Sequence, residues 1–433
     1  MSEADVDVIV VGAGVAGLAA AAELRTRRLT VALFEAKPRI GGRAWTECPP
    51  ALGDQPFDHG ASWLHDADRN PLVPIAERAG LRLFDAAAVR CHRTFIGDRL
   101  ATEAELAAYN RADMRLAARA ETHAADAPDI SLADAMAPQP GDADEAAWYA
   151  AVAAWEGAII AGADAEVLSV RDWRDNRLQG RNLAVAGGLG ALVCDCLGPA
   201  AGPAHLATPV TRLSWQEAGG RVAADTPRGT IMSRAAIVTV STGVLASGAI
   251  RFVPSLPAEA EAAVHALPMG LLSKVALHAR GADRLDLPHF CSIDQQFAPG
   301  EPAMVFHAWP FGYDYTIGFI GGRAAWDLAA AGPAVAVDFA RSELRRLFGA
   351  RADRVFDGGA VATGWGTDPH FLGAYCYARP GATAARDVLA QPLADGRLIF
   401  AGEAVAGDGL AGTVGGACRS GLRAAEAVAK LFA

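Results

Sequence analysis

Gly12, Gly14 and Gly17 stand directly behind the apolar run Val8-Ile9-Val10-Val11, and Glu35 closes the next apolar run, Val31 to Phe34. Gly12 permits a tight turn, Gly14 lets backbone come close to a pyrophosphate, and Gly17 lets the following helix pack on its strand. The N-terminus of that helix offers unbonded N–H groups and the positive end of its dipole to phosphate oxygens. Glu35 stands where a carboxylate accepts hydrogen bonds from ribose hydroxyls. A glycine triplet alone is a weak signal. Set between strand and helix, with an acid about twenty residues on, it points to dinucleotide binding rather than to a structural turn.

Lys274 is the second residue whose setting suggests chemistry. The chain has three lysines, Lys37, Lys274 and Lys430, and its other basic residues are arginine. Lys274 lies between Leu271-Leu272-Ser273 and Val275-Ala276-Leu277. An ammonium is expensive to bury there unless something uses it. Either it sits on an edge strand and reaches solvent along its own stem, or burial lowers its pKa and readies it for proton or water handling.

Other chemistries find less support. The seven cysteines are scattered, and Cys194-Asp195-Cys196 is too tight for a zinc pair and has no histidine cluster beside it, so reduced thiols and no metal are expected. The net charge of −10 disfavours nucleic acid and anionic membrane and mildly favours cationic ligands. The acidic N-terminus leads straight into the first strand with no visible signal peptide, and a cytoplasmic location is expected. Ala146 to Ala163 is apolar and about long enough to cross a bilayer. Glu156 interrupts it and Asp142, Asp144, Glu145 and Asp164 flank it without positive charges, so it reads as a buried helix. The oligomeric state stays open.

These residues need elements to place them. The 433 residues suffice for two domains, and 52% apolar against 20% charged residues excludes a disordered chain. Strand, glycine turn, helix and strand occupy roughly residues 5–43. From about Asn70 to Met136 the spacing predicts helix, and Pro138 to Asp142 is a loop. Thr208 to Trp215, Arg221 to Ala224 and Ala236 to Thr242 read as strands, as do Lys274 to His278, Ala303 to Ala308 and Tyr315 to Ile320. Ala334 to Phe348 is an amphipathic helix. The end of the chain repeats the opening pattern: strand Leu398 to Ala401, Gly402-Glu403, a glycine-rich turn, and helix Gly415 to Leu431. We therefore expect an α/β chain in which a Rossmann-like dinucleotide-binding domain (1–70, 188–265 and 390–433) is interleaved with an α+β substrate domain (71–187 and 266–389).

The blocks resemble the flavin amine oxidase family, which includes monoamine oxidases, polyamine oxidases and lysine-specific histone demethylases. The resemblance rests on Gly12 to Gly17, Glu35 with Arg39 and Gly41-Gly42-Arg43, Gly60 to His65, and Lys274. It continues through Gly364 to Pro369 with Gly373-Ala374-Tyr375, Gly402-Glu403, and Gly412 to Ala417. It implies FAD. Gly12, Gly14 and Gly17 would cradle its pyrophosphate, Glu35 would hold its adenosine ribose, and Arg43 after Gly42 would bind phosphate. Ala61 and Ser62 would lie by the flavin through their backbone, and Val210, opening its strand, would meet adenine. Gly402 and Glu403 would reach the ribitol or pyrophosphate. Thr413 and Val414 would open a helix whose dipole stabilises negative charge on the flavin. Ala374 stands where the covalent-flavin enzymes carry cysteine, which implies noncovalent FAD.

The same resemblance implies catalytic roles. Lys274 would hold a water near flavin N5, Trp365 would pack along the flavin, and Tyr375 would form one wall of an aromatic cage. Thr413 replaces the tyrosine of the opposite wall in monoamine oxidases, and His65 would stand at the pocket mouth, as in polyamine oxidases. Gly415-Gly416 replaces a histidine-glycine pair and implies a wider pocket. The implied reaction is hydride transfer from a small-molecule amine to the flavin, an imine hydrolysed to aldehyde or ketone, and reoxidation by O2 to hydrogen peroxide. Asp66, Asp68 or Glu156 could bind a second ammonium, although each reads first as an ordinary solvated or paired acid. Rival readings are a desaturase of the phytoene or protoporphyrinogen type and a flavin-binding protein without turnover. The absence of an arginine at Ser62-Trp63 argues against amino-acid oxidases.

Overall fold

The computed structural model describes residues 5–85, 91–217 and 220–432. The run Val6–Val11 forms a strand between Val31–Phe34 and the ten-residue strand Gly229–Val238, all three parallel. Alternate residues serve opposite faces. Val8, Val10, Leu33 and Ile237 pack under the helices Val15–Thr26 and Val414–Lys430. Ile9, Val11, Ala236 and Val238 pack on the other side with Val264, Leu389 and Phe400. Burial on both faces explains why these strands read as continuous apolar runs. Gly229–Val238 forks: Thr230 to Ser233 pair antiparallel with Arg221–Thr226, and Ala236 to Val238 pair parallel with Leu398–Phe400. Ala204–His205, Arg212–Glu217 and Arg251–Val253 complete the eight strands.

A second, seven-stranded sheet runs in the order Ala360–Ala362, Leu272–His278, Tyr315–Gly321, Met304–Ala308, Cys291–Gln295, Cys91–Ile96, Arg99–Leu100. One face, with Ala276, Val305 and Phe319, packs under the helices Glu103–Asp126 and Ala143–Ala153. The other, with Val275, Leu277 and Phe306, packs under Pro333–Phe348. The architecture is α/β with a mostly parallel nucleotide-type sheet and a separate mixed sheet. Among the described residues no helix is long and apolar enough to cross a membrane.

Four sequence expectations are corrected. Asn70 to Met136 is not wholly helical: strands Leu83–Asp85, Cys91–Ile96 and Arg99–Leu100 interrupt it, and residues 86–90 lie outside the described set. The hairpin turns at Gly97, whose φ is 63°, and its first strand finds a parallel partner in Cys291–Gln295, a long-range pairing that helical spacing does not reveal. The helix starts after Thr102, which forms a reciprocal capping box with Glu105. The strand expected at Thr208 begins at Arg212, so Val210 lies in the lead-in rather than in the strand. The strand expected to run to Thr242 stops at Val238, and Ser241 caps the short helix Thr242–Ala246. The helix expected to Ala163 ends as the wider π-helical turn Ala154–Ile159, where Gly157 lies against the backbone of Ala163 and Ala165.

Candidate active site

Both sheets open onto one cavity of about 750 Å³. At one end the wall is the turn behind Val6–Val11. Gly12 has φ +101°, and a Cβ on Gly17 would lie 1.9 Å from the Gly12 carbonyl oxygen, so both positions require glycine. A Cβ on Gly14 would meet only the Cα of Gly42, at 3.9 Å, and the space between these two glycines is open. The helix Val15–Thr26 has no side-chain cap and no acidic residue in its first turn. Its N–H groups are therefore left for a ligand. An uncapped N-terminus behind a groove lacking side chains fits a pyrophosphate.

Glu35 lines this end and is buried. Its two oxygens accept from the backbone N–H groups of Ala13 and Lys37, each at 2.8 Å, so the carboxylate also ties the glycine turn to the second strand. Carboxylate oxygens have capacity left for ribose hydroxyls. Val210 and Gly402 border the same cavity. Arg43 donates to Glu403 at 2.9 Å and to the Ala374 carbonyl at 2.7 Å. The two residues expected to act separately on the cofactor thus form one ion pair, 360 positions apart, which no local pattern reveals.

Lys274 lies on an interior strand, between Ala360–Ala362 and Tyr315–Gly321, which overturns the edge-strand alternative. It is 5% exposed. Its Nζ donates to the backbone carbonyls of Asp58 at 2.8 Å and Gly60 at 2.5 Å, and to Ser62 Oγ at 2.5 Å. Burial pushes this ammonium down to about 8, with the nearby Asp58 charge opposing. The side chain of Ser62, expected to act through its backbone, is thus a partner of the lysine. Ala61 meets the Arg43 carbonyl through its N–H.

The rest of the cavity wall is mixed, with several aromatic side chains among aliphatic and polar ones. Trp365 is buried, donates through Nε1 to the His59 carbonyl at 2.9 Å, and meets Trp45 and Phe371 edge to face. Tyr375 donates through its hydroxyl to the Ile160 carbonyl at 3.0 Å, and burial pushes that hydroxyl upward. Trp63, named from the sequence only as part of its block, also lines the cavity, as do Trp155, Trp173, Phe319 and Tyr377, which were not singled out from the sequence. Trp155 enters on the π-helical turn, which periodicity does not foretell.

His65 Nδ1 lies 2.9 Å from Asn182 Oδ1, and burial pushes the ring toward neutrality. Paired with an amide oxygen, Nδ1 carries the proton and Nε2 is left as an acceptor. Thr413 and Val414 also border the cavity. The Thr413 hydroxyl is committed: it accepts from the Gly416 N–H at 3.0 Å, capping the last helix, and donates to the Leu410 carbonyl at 2.7 Å. Of the three acids considered for a second ammonium, Asp66 and Asp68 pair with Arg69 and Arg181 and do not line the cavity. Glu156 does line it, accepts from Trp173 Nε1 at 2.7 Å, and is pushed upward by burial. The other cavity carboxylates are engaged, Asp172 with Arg386 and Glu403 with Arg43.

Residues 15–429 match the family model described as flavin containing amine oxidoreductase. Polyamine oxidase 3 of Oryza sativa subsp. japonica is 29% identical over 96% of this chain and 88% of its own length. Among solved structures, cyclohexylamine oxidase from Brevibacterium oxydans IH-35A superposes with a TM-score of 0.75 at 22% identity, covering 99% of each chain. A putrescine oxidase redesigned in its cofactor binding gives a TM-score of 0.78 at 20% identity, over 98% of this chain and 99% of its own.

Proposed function

The chain belongs to the flavin-containing amine oxidoreductases, and we propose that this FAD-dependent enzyme oxidises a small amine carrying a second cationic centre, with O2 as acceptor and hydrogen peroxide as product. The observation that carries the reading is that Lys274, Trp365 and Tyr375 border the same cavity as the glycine cradle. The second cationic centre is supported by Glu156. Among the described residues it is the cavity acid whose hydrogen bond comes from a neutral indole rather than from a cation or the backbone of the glycine turn. The likeness to the rice polyamine oxidase supports the same substrate class.

The bound flavin supplies the two-electron acceptor. The chain's own residues do the rest. The aromatic walls make a slot of low polarity, which favours the neutral amine over its ammonium form. Tyr375, held by Ile160, fixes one wall in orientation. Lys274, with its proton held weakly enough to exchange near neutral pH, takes or gives a proton at Nζ. His65 offers Nε2 to an N–H of the substrate at the mouth. Ala374 beside the cavity supports noncovalent FAD, and mild denaturation should release yellow cofactor. Seven free thiols support a reducing compartment such as the cytoplasm.

The test is peroxide release across matched monoamines and diamines, with the wild type and Glu156→Gln. The diamine should be preferred, and the substitution should raise its KM by about 10- to 100-fold, the scale for removing one partner of a desolvated charge pair. Monoamine KM should change by less than about 2-fold, since that substrate presents no charge to Glu156. A protein silent with every amine but active on a polyene or porphyrinogen would replace the proposal with the desaturase reading.

A further inference from the structure

The Nζ of Lys274 has three polar neighbours of two kinds. The carbonyl oxygens of Asp58 and Gly60 can only accept, whereas the hydroxyl of Ser62 can accept or donate. An ammonium places one N–H on each of the three oxygens. A neutral amine has two N–H groups, which the two carbonyls take, and one lone pair, which can accept the Ser62 O–H. Loss of one proton therefore reverses a single hydrogen bond and moves no heavy atom. Ser62 and Lys274 both border the cavity, so the Ser62 hydroxyl that meets Nζ can also meet water there.

We propose that Ser62 is the positioning residue that lets Lys274 gain and lose one proton without leaving its seat, and that it passes this proton between Nζ and cavity water. On release, the N–H bond facing Ser62 breaks as a new O–H bond forms on Oγ. The original hydroxyl proton leaves to water, and the new O–H points back at the amine lone pair. Uptake is the reverse, and no oxidant or further reactant is needed. The proposal rests on the amine-oxidase reading only for the use made of the proton.

The surroundings suit a group held close to its switching point. The neighbouring strand Tyr315–Gly321 offers Phe319, whose ring centre lies 5.8 Å from Nζ and carries no formal charge. The strand Ala360–Ala362 is followed by Thr363, whose hydroxyl takes the Lys274 backbone N–H at 2.9 Å. The charged neighbours come from Phe57–Asp58 and the residues behind it. The Asp58 carboxylate is held by Thr46 and the N–H groups of Leu189 and Gly190, and His59 is paired with Glu47 at 3.0 Å, with Arg39 beyond. None of these hydrogen-bonds to Nζ through its side chain; Ser62 does.

With three lysines in the chain, the test is direct. The FAD-loaded enzyme labelled with 13C at lysine Cε gives three resonances, and Lys274→Met identifies the one of interest. In the wild type that resonance should titrate well below the ordinary lysine value of 10.5. In Ser62→Ala the ammonium loses a charge-assisted acceptor and the amine loses a weaker neutral donor, so the midpoint should fall by about one pH unit. Ser62→Thr, which keeps the hydroxyl, should restore it to within about 0.3 unit. The pH midpoint of anaerobic flavin reduction by amine should move with the NMR midpoint in both variants. A Lys274 midpoint that is unchanged in folded Ser62→Ala, or that Ser62→Thr does not restore, overturns the proposal. If the NMR midpoints move as stated while no amine reduces the flavin, the proton pairing is supported and the oxidase reading falls.

Discussion

Where the cavity meets the turn Gly12–Gly17, its wall is peptide backbone, and the decisive feature is a missing Cβ. Where it meets the strand Leu272–His278, the wall is side chain, and the decisive feature is an ammonium seated on three oxygens. On the proposed reading the first wall recognises what every member of a cofactor class shares, a doubly charged bridge between two nucleotides, and the second adjusts protonation and shape for one reaction. Backbone recognition leaves little to adjust, because no substitution improves on an absent side chain. Side-chain recognition is graded, and its residues can be exchanged one at a time.

The largest effect that separates the walls is on chemistry. Lys274→Met should keep FAD bound at one per chain, because the cradle is untouched, while anaerobic reduction or reoxidation slows by about 10- to 1000-fold. Loss of FAD in this variant would merge the two walls into one. The same lysine gives a stability signature. Its folded value, about 8, lies below the ordinary 10.5. Between those values the unfolded chain binds a proton that the folded chain lacks, so stability rises with pH across that window. The full difference is up to about 3 kcal/mol. Denaturant midpoints from pH 8 to 10.5 should climb in the wild type and flatten in Lys274→Met.

Next in size is a pair of glycine substitutions within one wall. A methyl on Gly17 collides with the Gly12 carbonyl, and Gly17→Ala should cost ~1–3 kcal/mol of stability, read from the denaturant midpoint of the apoprotein. A methyl on Gly14 meets nothing closer than 3.9 Å, so Gly14→Ala should leave apoprotein stability within about 0.5 kcal/mol. That methyl would stand where the pyrophosphate needs to lie, and FAD affinity should fall by about 5- to 100-fold. Equal loss of stability in both variants would show that the open groove is an ordinary packing surface.

The same contrast explains what could be read from the chain. The glycine turn, Glu35 and the two strands beside them lie within thirty residues, and each was legible because one local unit builds the wall. Lys274 was legible as a misfit, an ammonium in an apolar strand. Its partners were not, because Ser62 is 212 positions away and the contact exists only once both sheets are formed. Trp365 to His59 and Arg43 to Glu403 span 306 and 360 positions. Glu156 was named as an acid, but its place in the cavity depends on a π-helical turn that a 3.6-residue period averages away. The strand Cys91–Ile96 was missed for a related reason: its partner, Cys291–Gln295, decides its conformation.

The smallest expected effect concerns the two helices that reach the cavity by their N-termini. Val15–Thr26 is uncapped, whereas Val414–Lys430 has Thr413 as its cap. If an N-terminus left open is the one meant for phosphate, the capped one should tolerate change at modest cost. Thr413→Ala should destabilise the protein by ~1 kcal/mol, with Thr413→Ser recovering most of it, since both hydroxyls accept from the same N–H. FAD affinity should move by less than about 3-fold, which corresponds to under 1 kcal/mol. A larger drop in affinity, matched in Thr413→Ser, would mean that the methyl rather than the hydroxyl is what the ligand feels, and the last helix would then belong to the side-chain wall. A rise in amine KM without loss of stability would place Thr413 on the substrate slot, the role its position opposite Tyr375 suggests by resemblance, and would separate that role from the cap.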